Sequence, residues 1–353
     1  MNNNFLSGLG IVLLCESAVA VPAGTTIDGG NTIHKTDVIT PGAKWKDLEG
    51  KEIQAHGGGI LHYKGVYYWY GEDKADGYLN YIGVSCYSSK DLVHWDHVST
   101  ALPSQSMPAE YGAKGILERP KVIFNSKTDK FVMWMHLDHP GYSHSVAGVA
   151  ISDSPQGPFK YLGELSPIQG STYRDMNLYK DRNGAAYAIF SGDNNASLYA
   201  VELNADYTNV KTPMIEGTTW AKIVPNESRE APAPFYYNGH YYLLISGTSG
   251  WAPNAAECYE APHILGPWHS IGNPFVGKES NTTFNSQSTF VLPVAKHPGC
   301  FIYMGDRWNP GNLADSRYIW LPFKVHKDGT FHIHWRDSWS LSLFNHWTSP
   351  VKE

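Results

Sequence analysis

Long apolar runs are scarce in this chain of 353 residues. The only candidate near the amino terminus, FLSGLGIVLL at residues 5–14, is too short to span a bilayer. It is followed at 17–20 by the small-residue run SAVA, which is typical of a signal-peptide cleavage site. We therefore interpret residues 1–20 as a signal peptide and expect a secreted, extracellular protein with no membrane-spanning segment.

Cysteine is also rare, and its count limits disulfide bonding. Cys15 would leave with the signal peptide, so Cys86, Cys258 and Cys300 remain. An odd number in a secreted chain allows at most one internal bridge and leaves a free thiol. We expect each of the three to be a buried, unreactive side chain.

Clusters of basic residues are absent, which argues against one class of partner. The formal net charge is −6, and no concentrated run of Lys or Arg occurs. A nucleic-acid-binding surface needs such a cluster to neutralise phosphates, so we expect no nucleic-acid partner. The histidines, including His332 and His334, lack metal-ligand spacing. We expect no metal, no other cofactor and a monomeric protein.

Helical periodicity is nearly missing, and short strands take its place. Runs rich in Tyr, Val, Ile and Trp alternate with Gly, Asn, Asp and Pro, a pattern typical of many short strands. One unit of two strands joined by a tight turn recurs along the chain. Its clearest copies, 58–71 and 234–247, carry the hairpin signals Lys-Gly and Asn-Gly. Its looser copies are 120–134, 176–190 and 288–305.

Five such units, each followed by an outer pair of strands and without helical crossovers, predict an all-β fold, a five-bladed β-propeller. The strand pattern is continuous, so we assign residues 45–347 to one catalytic propeller domain, preceded by a lead-in at 21–44. The aromatic residues, 12 Trp and 22 Tyr among them, fill such a core and also offer flat platforms for sugar rings.

Polar side chains stand at the entry of each predicted inner strand. The entries, in chain order, are HGG at 56–58, ERP at 118–120, RDM at 174–176, EAP at 230–232 and QS at 287–288. Inner strands of a propeller begin at one end of its central channel, so Glu118, Asp175, Glu230 and Gln287 are expected to converge. Crowded carboxylates are electrostatically costly. Glycoside hydrolysis gains from them, because it needs an acid of raised pKa and a second group that handles water.

Five segments resemble the exo-β-1,3-galactanases of glycoside hydrolase family 43, subfamily 24. They are IQAHGGG at 53–59, YWYGED at 68–73, LERPKVIFN at 117–125, TSGWAPN at 248–254 and YMGDRW at 303–308. The resemblance extends over nearly the whole chain after the signal peptide. It implies a five-bladed propeller that releases galactose, with inversion, from the non-reducing end of β-1,3-galactan, the main chain of arabinogalactans. The expected partner is therefore a polysaccharide, including that of arabinogalactan proteins.

The resemblance also implies catalytic roles. Glu230 matches the general acid, and Glu118 occupies the position of the pKa-tuning carboxylate. The usual Asp base of the first blade is missing, since Gly57 and its glycine neighbours stand where it is expected. Gln287 is then the candidate for handling the nucleophilic water. A neutral amide would act through an imidic-acid tautomer or would orient water while a carboxylate takes the proton, and both routes stay open.

The remaining matches imply a galactose pocket. Its members are expected to bind sugar hydroxyls or to pack an indole on a ring face, and they are Glu72, Tyr142, Asp175, Asn195, Thr248 and Trp251. Asn195 also begins an Asn-X-Ser sequon. It cannot both carry a glycan and point into the pocket.

Two other functions compete with this interpretation. The missing base is compatible with a non-catalytic, lectin-like propeller that binds galactans. An arabinosidase or xylosidase of the same fold is the second alternative, although those enzymes depend on the first-blade Asp. Sugar release from galactan, xylan and arabinan discriminates among the three.

Overall fold

The computed structural model describes residues 37–78, 80, 82–112 and 115–348, and strands dominate the described part of the chain. The predicted signal peptide, with Cys15, lies outside the described residues. Of the predicted lead-in, residues 37–44 are described, and Ile39 there forms an isolated bridge with Trp339.

Four antiparallel sheets of four strands follow one another along the chain, each with its strands in sequence order. Blade 1 contains β1 His56–Tyr63, β2 Val66–Glu72, β3 Gly83–Ser89 and β4 Asp96–Pro103. Blade 2 contains β5 Ile116–Asn125, β6 Lys130–Asp138, β7 Val146–Ser152 and β8 Lys160–Leu165. Blade 3 contains β9 Met176–Lys180, β10 Ala186–Gly192, β11 Ser197–Glu202 and β12 Trp220–Val224. Blade 4 contains β13 Arg229–Tyr237, β14 His240–Gly247, β15 Glu257–Ala261 and β16 His269–Gly272.

The fifth blade departs from the four-stranded unit that the repeat predicts. After β17 (Phe275–Val276), a three-stranded sheet is formed by β18 Gln287–Pro293, β19 Cys300–Arg307 and β20 Arg317–Lys324. A turn at His326, closed by its hydrogen bonds with Thr330 and Gly329, then redirects the chain. β21 (Ile333–His334) therefore pairs in parallel with β17 instead of completing the blade. The described chain ends in a short helix, α1 (Leu343–Thr348).

The five sheets form a closed ring, which confirms the predicted five-bladed propeller. The innermost strands β1, β5, β9, β13 and β18 contact one another in that order, and β18 returns to β1. Five clusters of buried apolar residues lie between successive blades. In β2, for example, Tyr68 and Tyr70 face blade 2, while Trp69 between them faces blade 5. Both faces of a blade are thus buried, which explains the large aromatic content.

The two clearest hairpin signals form the predicted turns. Lys64 and Gly65 have φ of 49° and 82°, and Asn238 and Gly239 have φ of 50° and 95°. Two successive residues of positive φ are what a type I′ turn requires. These turns fix the register of β1 with β2 and of β13 with β14, and so decide which residues meet at the far ends of those strands.

Side chains from the inner strands cross the central channel below their entries. Lys121 Nζ donates to Gly57 O over 2.7 Å, and Thr289 Oγ1 donates to Gly58 O over 2.7 Å. Asn177 Nδ2 donates to two carbonyl oxygens, Pro232 O at 2.9 Å and Thr289 O at 3.0 Å. This layer satisfies the buried polar groups and ties the blades together, so it makes a rigid floor for whatever lies at the strand entries.

Candidate active site

A cavity of about 370 Å³ lies where the inner strands begin. All nine side chains predicted as site residues line it, namely Glu72, Glu118, Tyr142, Asp175, Asn195, Glu230, Thr248, Trp251 and Gln287. The sequence analysis missed five further residues of the lining, namely Arg119, His136, Arg174, Gly250 and Trp308. The volume is at the small end of the range for ligand pockets, which matches a few sugar units rather than a long chain.

Bulges in the inner strands aim the entry side chains. The ladder is irregular between His56 and Gly59 of β1, between Glu118 and Lys121 of β5 and between Glu230 and Ala233 of β13. The residue directly after His56, Glu118 or Glu230 lies in the left-handed region, with φ of 57° at Gly57, 54° at Arg119 and 55° at Ala231. For the two non-glycine residues this backbone costs about 1 kcal/mol each. In β5 and β13 the bulge re-aims the preceding side chain, a carboxyl that lines the cavity.

The register corrects the prediction for blade 1. The last paired residue before the bulge is Glu118 in β5, opposite His136, and Glu230 in β13, opposite Ser246. The equivalent residue of β1 is His56, opposite Glu72, and not Gly57. The His56 ring is fully buried, stacks on Tyr318 and contributes nothing to the cavity lining.

The carboxylate of blade 1 comes from the second strand. Glu72 pairs with His56 and enters the cavity over Gly57. A Cβ at Gly57 would lie 2.2 Å from Glu72 Oε1, so only glycine leaves room for it. Glu72 accepts hydrogen bonds from Lys74 Nζ at 2.7 Å and from the Arg119 backbone N–H at 2.8 Å. Burial raises its pKa, and the Lys74 charge opposes that shift.

Glu118 is surrounded by donors. His136 Nδ1 lies 3.1 Å from one carboxylate oxygen, and Tyr142 OH donates to the other over 2.8 Å. Burial by itself raises the pKa of Glu118. The hydrogen bond and the charge of His136 outweigh burial and lower the pKa to about 2. Glu118 is therefore a carboxylate throughout the physiological range.

Glu230 has the opposite surroundings. The residue is 8% exposed, and its carboxyl accepts hydrogen bonds from two neutral amides, Gln287 Nε2 at 2.9 Å and Asn195 Nδ2 at 3.1 Å. Burial, followed by the negative charge of Asp175, raises the pKa of Glu230 to about 8. Glu230 is therefore protonated at neutral pH and can donate that proton.

Gln287 has no hydrogen-bonding capacity left over in this arrangement. Its carbonyl Oε1 accepts from Arg119 Nη2 at 2.5 Å and from Trp308 Nε1 at 3.0 Å. Both partners are obligate donors, which fixes the amide orientation. Nε2 therefore donates to Glu230 and, over 3.2 Å, to Ser246 Oγ. Gln287 and Glu230 meet as the spacing predicts, and Gln287 touches the acid directly.

Arg119 joins the floor of the cavity to its wall. The guanidinium lies 2.9 Å from Asp175 Oδ2 and donates to Ser288 O over 2.7 Å, in addition to its bond with Gln287. Asp175 is thereby held as a paired carboxylate at the entry of blade 3, where its carbonyl oxygen also accepts from the Ser191 N–H. No signal in the sequence distinguished Arg119, because its role depends on the bulge.

The rim of the cavity is aromatic. Trp251 is half-buried and makes edge-to-face contacts with Trp308 and Tyr78, at centroid separations of 5.1 and 5.8 Å. Thr248 is exposed beside it, and Tyr78 OH donates to Tyr142 OH over 2.5 Å. Indole and phenol faces next to hydroxyl and amide donors provide the surface on which a sugar ring packs.

Asn195 reaches inward. Its loop holds three successive residues of positive φ, Asp193, Asn194 and Asn195, residue types that tolerate this backbone. Ser191 Oγ lies 3.0 Å from Asn195 Oδ1, and Asn195 Nδ2 donates to Glu230 Oε2 over 3.1 Å. A glycan on Nδ2 would have to break that contact, so the structure favours the pocket interpretation over the sequon.

Other sequence expectations concern the rest of the described chain. Cys86, Cys258 and Cys300 are unpaired and buried. Among the described residues, no group of three or more His, Cys, Asp or Glu side chains is arranged to hold a metal ion. The same residues include no helix that is long and apolar enough to cross a membrane.

Known proteins are similar to this chain in sequence and in overall structure. The sequence model of the glycosyl hydrolases family 43 matches residues 54–330. A solved GH43 β-1,3-galactosidase in complex with galactodeoxynojirimycin is 37% identical, with a TM-score of 0.80 over 86% of this chain and 100% of its own.

Two exo-β-1,3-galactanases of known structure are also similar. The enzyme of Phanerochaete chrysosporium, solved with β-1,3-galactotriose, is 37% identical, with a TM-score of 0.78 over 86% of this chain and 68% of its own. The enzyme of Clostridium thermocellum has the same identity and TM-score over 86% of this chain and 66% of its own. A β-xylosidase of Xylanibacter ruminicola is 37% identical over only 62 residues, 18% of each chain.

Proposed function

Since the chain belongs to glycosyl hydrolase family 43, we propose that it is an exo-acting β-1,3-galactanase that releases galactose from the non-reducing end of β-1,3-galactan. The observation that carries the proposal is the pair of buried carboxyls at equivalent places of blades 2 and 4. Glu118 is ionised and Glu230 is protonated in one cavity. A binding protein gains nothing from this division of charge, whereas hydrolysis of a glycoside needs it.

Glu230 is the general acid in this proposal. It delivers its proton to the glycosidic oxygen as the bond to the anomeric carbon breaks, while its two amide partners hold the carboxyl in place. Glu118 remains charged and, through its field, favours the protonated form of Glu230. Glu72, Asp175 and Asn195 offer acceptors and a donor for sugar hydroxyls.

Water is handled by Gln287. In the free enzyme its Nε2 is bonded to Glu230, so no water fits between the two groups. When the sugar enters and the acid turns to the glycosidic oxygen, Gln287 exchanges that bond for one that orients the nucleophilic water. The proton that this water loses passes either to Gln287 in its imidic-acid form or to a carboxylate of the cavity. Inverting enzymes place acid and water on opposite faces of the sugar. The carboxylate that acts on Glu230, Asp175, is paired with Arg119, which favours this outcome over a covalent intermediate.

The proposed substrate is inferred from the similar galactanases. The Phanerochaete chrysosporium and Clostridium thermocellum enzymes are exo-β-1,3-galactanases, and the first was solved with β-1,3-galactotriose. Arabinogalactan main chains are the natural polymers of this linkage, and we infer that the protein meets them outside the cell. Secretion rests on the signal-like run at residues 5–20.

The test is sugar release from β-1,3-galactan, β-1,4-xylan and arabinan, measured side by side with the purified protein. Galactose from the galactan alone, without an early ladder of internal fragments, supports the proposal. Release of xylose or arabinose instead would assign the chain to the other activities. Binding of galactan without release of any sugar would make it a lectin.

The stereochemistry is predicted separately. Proton NMR of the first product is expected to show α-galactose, because water attacks from the face opposite the leaving group. The β anomer appearing first would contradict inversion and require a nucleophile on the protein.

A further inference from the structure

The buried groups behind Glu118 form a chain that the proposed reaction has not used. His136 Nε2 lies 3.2 Å from Asp138 Oδ2, while its Nδ1 faces Glu118. His136 and Asp138 are both 0% exposed. Sequence analysis singled out neither residue.

Asp138 is itself fixed by several donors. The backbone N–H groups of His139 and His144 donate to its Oδ1, over 2.9 and 2.8 Å, and Ser145 Oγ donates to its Oδ2. Burial raises the pKa of Asp138, but the hydrogen bonds from His136, Ser145 and the His144 backbone outweigh burial and lower it. A permanently charged carboxylate therefore lies behind the imidazole and holds it in one orientation.

His136 is held between two anions. Burial lowers its pKa, but the hydrogen bonds and charges of Asp138 and Glu118 prevail and raise the pKa to about 9. An imidazolium donates from both ring nitrogens, which satisfies Asp138 and Glu118 together.

The surroundings add no other strong partner for the ring. Tyr142 stacks on it at a centroid separation of 5.9 Å, and the Arg174 guanidinium lies 5.4 Å from the Tyr142 ring centroid. From blade 1, the charges of Lys74 and Glu72 act on Glu118, and across the cavity Glu230 does so too. Tyr78 reaches Glu118 only through Tyr142.

We propose that His136 and Asp138 form a positioning dyad that holds Glu118 in its charged form and fixed orientation, and thereby sets how far into acid the enzyme works. The inference rests on the proposed function, since it assigns the dyad to the same reaction. His136 reaches the chemistry only through Glu118, so it is a positioning residue and not a catalytic one.

The pH profile distinguishes this role from a merely structural one. In the parent enzyme Glu118 stays ionised down to about pH 2, so its protonation does not limit activity at pH 4.5. In His136→Asn the cation is lost, the pKa of Glu118 rises, and the acid limb of kcat/KM moves to higher pH. The ratio of kcat/KM at pH 4.5 to that at pH 6.5 is therefore expected to fall, by roughly tenfold for each unit by which the pKa of Glu118 in the variant exceeds 4.5.

Two variants bracket the effect. Asp138→Asn keeps the imidazole but removes the anion behind it. The acid limb of kcat/KM is therefore expected to move to higher pH in this variant too, but less far than in His136→Asn. His94→Asn is the matched control, because it breaks an exposed histidine–carboxylate pair of 2.8 Å with Asp91 away from the cavity. Its profile is expected to match that of the parent enzyme.

A second readout needs no substrate. NMR titration of the histidine rings, with His136 assigned by its loss in His136→Asn, is expected to show a charged ring until near pH 9, and a lower midpoint in Asp138→Asn. A folded His136→Asn with an unmoved acid limb would overturn the proposal, even if its rate fell. A His136 ring that titrates near its ordinary pKa of about 6.5 would overturn it as well. If the parent enzyme releases no sugar from galactan, the proposed function fails and the titration still tests the dyad.

Discussion

The inner ends of blades 2 and 4 are built alike but charged differently. Each presents a glutamate that is 8% exposed, on a bulged strand, one residue before a left-handed backbone position. The partner across the hairpin differs, since Glu118 faces His136 and Glu230 faces Ser246. A cation across the ladder lowers one pKa, and its absence lets burial raise the other. The neighbour on the second strand, rather than the place in the fold, assigns the role of each carboxyl.

The largest expected effect comes from removing the proposed acid of blade 4, Glu230. Glu230→Gln keeps the shape of the side chain but cannot deliver a proton, so galactan hydrolysis is expected to fall by roughly two to four orders of magnitude. Galactose release and calorimetric binding of galactose are the measurements, and binding is expected to survive. Glu227→Gln, an exposed glutamate three residues earlier, is the control. Turnover near the parental rate in Glu230→Gln would show that another group is the acid.

Removing the amide that touches the acid has the next largest effect. Gln287→Ala loses the bonds to Glu230, Ser246, Arg119 and Trp308, and we expect activity to fall roughly tenfold to a hundredfold. The folded state is expected to lose only about 1–3 kcal/mol.

The measurement is the rate of galactose release, with the melting temperature as the folding check. Gln156→Ala, an exposed glutamine in another loop, controls for the truncation itself. A folded Gln287→Ala that keeps more than about half of the parental rate would return the handling of water to Glu118, Asp175 or Glu72.

The smallest expected effect comes from adding a negative charge beside Glu230, which increases its difference from Glu118. Glu230 must be protonated, so kcat/KM of the parent enzyme is expected to fall as pH rises through about 8. Asn195→Asp replaces an amide donor by an anion, which disfavours ionised Glu230 further. The alkaline limb is therefore expected to move up by about one pH unit.

The pH profile of kcat/KM between 6 and 10 tests this shift, whatever the height of the profile. Asn226→Asp provides the control, because it changes another sequon asparagine that is exposed and outside the cavity lining. A limb that stays in place or moves down in Asn195→Asp would mean that Asn195 does not act on Glu230.

The sequence by itself determined the five-bladed architecture and nine of the residues that line the site. Strand-length aromatic runs, hairpin turns and a regular repeat are local properties, so five blades and the convergence of Glu118, Asp175, Glu230 and Gln287 followed from spacing alone. The pocket members Glu72, Tyr142, Asn195, Thr248 and Trp251 followed from the resemblance to a family, and all of them line the cavity.

The tertiary structure decided which side chains contact one another and which charge each of them carries. A bulge shifts the register by one residue, so spacing placed Gly57 where the ladder places His56. Arg119, His136 and Trp308 contact site residues across strands or blades. Arg119 and Trp308 stand in segments that carry the family resemblance, but the sequence does not show which side chains they contact. The missing fourth strand of blade 5 depends on pairing between β17 and β21, 58 residues apart at Phe275 and Ile333. Charge states depend most of all on the fold, because burial and neighbours set the pKa values of chemically identical glutamates.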